Sequence, residues 1–123
     1  MYTIEDRRIV FIGGASHTFN DIIAEVVPFD EILVVRLENQ GWKRSNENVF
    51  GLDYKGRVIW KIETRVHAFP ESHYINLYRR NELVDAYNWD GTILSLAPKT
   101  GEIMMESLIY SSTKRQIQKH QII

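Results

Sequence analysis

The stretch Asn48-Val-Phe-Gly-Leu-Asp-Tyr-Lys-Gly-Arg-Val-Ile-Trp-Lys-Ile-Glu63 constrains the fold more than any other part of the chain. Two apolar runs flank Asp53-Tyr54-Lys55-Gly56. A glycine can take positive φ without steric cost, so the chain can reverse there and pair the two runs as a β-hairpin. The pattern recurs from Ile93 to Met105, with Gly101 in the place of Gly56. The two glycines lie about 45 residues apart, within the range that marks repeated supersecondary units. At that spacing Phe50 falls near Leu94, Leu52 near Leu96, Val58 on Ile103 and Ile59 on Met104. A repeat of this kind speaks to architecture and is silent on chemistry.

The rest of the chain extends the same reading. Arg8–Ile12 is a short β-rich run ended by Gly13-Gly14, and residues 15–20 read as a loop. Ile22–Val27 is too short for periodicity to choose between a strand and a helical turn. Glu31–Glu38 is the best single strand, and Leu33, Val35 and Leu37 form its all-apolar face, which is taken as the core side. Residues 39–48 read as a polar loop around Trp42, with room for a short irregular strand. Residues 64–72 read as a connection, and His73–Arg79 alternates as a strand does. Asn81-Glu82 and Asn88-Trp89-Asp90-Gly91 are turns. Thr92–Leu96 and Glu102–Ile109 form the final hairpin. The tail, residues 111–123, reads either as a frayed end or as a short helix starting near Ser112. Residues 1–110 are therefore expected to form one all-β domain, an antiparallel meander closed as a small sandwich or a partial propeller.

Composition removes several functions. At 123 residues one domain is expected. A formal charge of −1 gives no electrostatic footprint for nucleic acid or an anionic membrane. The absence of cysteine excludes disulfides, thiol nucleophiles and Cys-ligated metal. It fits a reducing cytosol, as does an N-terminus that lacks the pattern of a signal peptide. The most apolar stretch, Asp21–Leu37, carries Glu25, Asp30, Glu31 and Arg36 and cannot cross a bilayer as a helix.

Residues 31–63 and 74–106 each read as a four-stranded unit. The pattern Leu52-Asp53-x-x-Gly56-x-x-x-Trp60 resembles the repeats of pyrroloquinoline-quinone-type β-propellers, in which a glycine turn precedes a tryptophan. Leu96-Ala97-x-x-x-Gly101-x-x-x-Met105 is a variant of it. The resemblance implies blade-like sheets. The quinone-binding enzymes of that class use adjacent cysteines, which this chain lacks, so the resemblance does not extend to the cofactor and none is expected. The segment also resembles one carried by small uncharacterised bacterial proteins.

Chemistry-bearing residues are sparse. Gly13-Gly14-Ala15-Ser16-His17 matches neither a phosphate-binding loop nor a nucleophile elbow. His17, His67, His73 and His120 show no metal-ligand spacing, so neither a metal nor a catalytic residue is assigned. Asp53 and Asp90 read as turn caps. Trp60 reads as core. Trp42 and Trp89 lie in a loop and a turn, where aromatics commonly make contact surfaces. With Tyr54, Arg79 and Arg80 they form the candidate binding set. The expectation is a non-enzymatic protein-binding module of a small bacterial cytosolic protein, in the manner of an immunity-type inhibitor. Two alternatives stand beside it: a small-ligand enzyme with its site near Gly13–His17, and a structural subunit that completes a β assembly. A homodimer is favoured, because two blade-like sheets leave an apolar face to cover.

Overall fold

The computed structural model describes residues 1–38, 45–67, 70–109 and 116–118. Among these residues every regular element is a strand. The strands make three antiparallel sheets and no closed barrel. The N-terminal sheet holds β1 (Tyr2–Glu5), β2 (Arg8–Phe11) and β3 (Ser16–Thr18). The middle sheet is a meander of β4 (Ile22–Pro28), β5 (Ile32–Glu38), β6 (Val49–Asp53) and β7 (Val58–Lys61). The outer sheet continues through β8 (Tyr74–Arg80), β9 (Leu83–Asn88), β10 (Thr92–Leu96), β11 (Ile103–Leu108) and β12 (Gln116–Gln118).

The two expected hairpins form with their glycines in the left-handed region, Gly56 at φ 80° and Gly101 at φ 74°. Both carry a register shift at the matching place, between Gly51 and Leu52 in one and between Ser95 and Leu96 in the other. The first meander takes β4 as its outer strand, so it begins at Ile22 rather than Glu31. Ser16–Thr18, read as loop, pairs with β2. The short-helix reading of the tail does not hold for Gln116–Gln118, which extend the sheet beside β11. An open strand edge offers a three-residue segment backbone partners that an isolated helical turn of that length lacks.

The assignment of β5 to one buried face needs correction. Leu33, Val35 and Leu37 do pack under the N-terminal sheet, against Ile9, Phe11 and Phe19. Ile32 and Val34 are buried as well, against Leu77, Val84, Leu94 and Ile103 of the outer sheet. The middle sheet is thus covered on both sides, and the protein is a stack of three layers with two cores. A continuous apolar run is what such a strand requires, and only Arg36 interrupts it. Its guanidinium is held by Glu25 at 2.7 Å. The face of the middle sheet turned away from the outer sheet is covered within the chain by Ile9 and Phe11 of β2 and by Phe19.

Trp60 joins the two meanders. Its cross-strand partner is Gly51. A Cβ at Gly51 would stand 2.1 Å from the indole Nε1, and one at Gly101 would stand 2.6 Å from its Cδ2. The ring therefore fills a slot that only two missing side chains leave open. Its Nε1 donates to the Pro98 carbonyl at 2.6 Å, in the turn of the second hairpin.

We expect Gly51→Ala to cost about 1–3 kcal/mol in urea titrations, the range for overpacking a filled core. In a Trp60→Ala background, itself about 3–5 kcal/mol less stable, the same change becomes nearly neutral. Equal costs in both backgrounds would exclude the slot. Gly56→Val meets two obstacles, the positive φ and a Ser16 carbonyl 2.9 Å from the new Cβ. It lowers stability by about 1–3 kcal/mol, and wild-type stability in that variant would mean an unstrained turn.

Candidate interaction surface

Tight reversals gather at one end of the stack and long connections at the other. The residue pairs Ile32–Asp53 and Arg80–Leu83 place the β4–β5, β6–β7 and β8–β9 turns at the first end. The second end holds residues 19–21, the described parts of the β5–β6 and β7–β8 connections (residues 45–48, 62–67 and 70–73), and the turn at Trp89. Long connections on a rigid sheet stack are where binding residues usually sit.

The Trp89 turn is built by its neighbours. Asn88 is buried, and its carboxamide donates to the Ser72 carbonyl at 3.0 Å while accepting from the Asp90 N–H at 3.0 Å. The Ser72 hydroxyl donates to the same Asn88 oxygen. Gly91, at φ 92°, returns its N–H to the Asn88 carbonyl. Asp90 turns inward and accepts from the Thr92 N–H at 2.9 Å, the capping role expected of it. With both neighbours drawn in, the Trp89 side chain is directed out and stays 58% exposed. It stacks on His73, with ring planes 8° apart.

The β7–β8 connection is clamped across this end. Arg65 pairs with Glu106 of β11, and His67 Nδ1 lies 2.9 Å from Asp90 Oδ2. The His67 and Asp90 side chains are only 5% and 6% exposed. Burial alone would raise the Asp90 carboxyl, but hydrogen bonds from Thr92 and His67 hold it below the usual carboxylate range. Between the two clamps Val66 stands fully exposed. Ile109 donates its N–H to the Gly91 carbonyl, which brings Leu108 and Ile109 to the same place, both about half exposed. Val66, Trp89, Leu108 and Ile109 are thus exposed apolar side chains on a braced backbone at this end.

A second buried network lies beneath. Asn48 donates to the carbonyls of Leu37 and Tyr74 and accepts from the Tyr74 N–H. This one side chain ties the middle sheet to the outer one. The Tyr74 hydroxyl is buried without a hydrogen-bond partner among the described residues. Burial pushes its pKa well up, so it stays protonated.

The sequence-derived set does not converge. Trp89 is at the long-connection end. Trp42 lies outside the described residues. Tyr54 and Arg79 are at the opposite end and serve the fold there. The Tyr54 hydroxyl donates to the Phe29 carbonyl at 2.7 Å, and its ring meets Phe11 edge-on. The Arg79 guanidinium sits 4.3 Å over the Phe29 ring and donates to the Pro28 carbonyl. Arg80 holds Asp85 at 2.9 Å and the Ser95 hydroxyl at 2.8 Å on the outer sheet. His67 pairs with Asp90, and His73 stacks on Trp89. Sequence reasoning missed Asn48, Ser72, Asn88 and the His67–Asp90 pair. Only Asn48, a polar residue opening an apolar run, carried a local signal.

Residues 1–108 match the family described as a domain of unknown function (DUF7957). The chain belongs to that family. Neither the curated proteins nor the solved structures gave a match. The matched span runs from β1 through β11 and so includes the N-terminal and middle sheets, strands β8 to β11 of the outer sheet, and Val66, Trp89 and Leu108.

The Asp90 carboxylate supplies a test of the brace. A carboxyl held below its unfolded value adds stability above about pH 4, and that stability is lost as pH falls through the folded value. The stability gap between wild type and Asp90→Asn should therefore narrow between about pH 5 and pH 3. A gap that is constant across that range would mean the carboxylate gains nothing from its partners.

Proposed function

We propose that this protein is a non-enzymatic protein-interaction module that docks a partner on the surface formed by Val66, Trp89, Leu108 and Ile109. The supporting observation is the contrast between backbone and side chains there. The backbone is fixed by the His67–Asp90 and Arg65–Glu106 clamps and the Asn88 network, yet the apolar side chains point to water. Rigid exposed aromatics lose little conformational freedom on binding, which is why they so often anchor interfaces. The form of this reading we favour is an inhibitor of the immunity type, working in the bacterial cytosol and covering a partner protein's surface.

A photo-crosslinking residue at position 66 tests it in cells. One adduct of defined mass is expected, and it should disappear with Trp89→Ala while the variant keeps its fold. A crosslinker at Val58, which is exposed but lies near the other end, should not give that adduct. No adduct at position 66, or the same adduct at position 58, would overturn the proposal.

A further inference from the structure

The N-terminal and middle sheets part at the long-connection end to leave a cleft of about 510 Å³. That volume lies within the roughly 300–1,000 Å³ typical of small-molecule sites. One wall is aromatic. His17 packs on Phe19 with ring centroids 4.5 Å apart, and Phe19 on Phe50 at 5.1 Å. The rim carries Asp21, Glu47 and Lys61.

Arg8, Arg36, Arg57, Arg65, Arg80 and Lys99 each sit on a carboxylate of the chain. No ion pair joins Lys61 to Asp21 or Glu47 among the described residues, although all three border one cleft. Charges of both signs lining a cavity with an apolar wall match a ligand that carries both charges on a short apolar body. We propose that the cleft binds a free amino acid with an apolar side chain. Its carboxylate would meet Lys61, its ammonium Asp21 and Glu47, and its side chain the His17 and Phe50 rings. Each charged contact replaces water with a charge-assisted hydrogen bond, which is the stronger kind.

This site lies in a different layer from the Trp89 surface, so either proposal can fail without the other. The test is calorimetry and chemical-shift titration of the intact protein with L-phenylalanine, 3-phenylpropionate and 2-phenylethylamine. The last two each lack one of the charges. Loss of one charged contact should weaken binding about tenfold. Lys61→Met should lower L-phenylalanine affinity by about the same factor with the thermal midpoint unchanged. It should leave 2-phenylethylamine, which has no carboxylate, as it was. Three equal affinities, no binding of L-phenylalanine at millimolar concentration, or indifference to Lys61→Met would each overturn the proposal.

Discussion

The indole of Trp60 is the contact on which the arrangement of the layers depends. It belongs to the first hairpin and hydrogen-bonds to the turn of the second. Two glycines make room for it, one across its own sheet and one in the other. A ring placed so removes a large apolar area from water and satisfies its single donor in the same step. It also fixes which face of the middle sheet meets the outer sheet, because the slot admits the ring in one orientation. Asn48 then ties the far end of the same interface. The two meanders are held at both ends by one aromatic and one amide, with aliphatic core between them.

Much of this architecture was readable from the chain because turns are local. Gly56, Gly101, Asn81 and Gly91 all take positive φ where the sequence places reversals. Asp53 accepts from the N–H groups of Lys55 and Arg57 as a turn cap should. The two covered faces of β5 were harder to see. Its run Ile32–Val35 is apolar throughout, but choosing one face for the core ignores that continuity, and the presence of Arg36 favoured the choice. Gly51 was illegible for a different reason. A glycine within a strand signals a close approach, but what approaches is decided by register, and the register shift beside it hides the partner.

The candidate surface was legible only in part. Trp89 stood out because a turn exposes it. Its supports come from three separate segments, and nothing within the Arg65–His67 stretch points to Asp90 or Glu106. Tyr54, Arg79 and Arg80 were plausible from composition, since aromatics and arginines dominate interfaces. Each is committed to a partner inside the fold, which no single sequence reveals. The asymmetry between the two ends explains the outcome. The end of tight turns uses its aromatics and cations to close the stack. At the other end, buried polar groups carry the structure and leave apolar side chains outside.

The double burial of β5 also governs how the protein can open. Leu33 and Val34 are chain neighbours, yet they belong to different cores. Any fluctuation that lifts this strand breaks both cores together, so neither outer layer shares a wall that can yield alone. The opening energy for β5 should therefore approach that of the whole molecule, while β1, with one paired neighbour and three of its four side chains exposed, opens more easily. In amide exchange with deuterated water, the β5 protons would be the last to leave, and their rate would report the global stability of the chain.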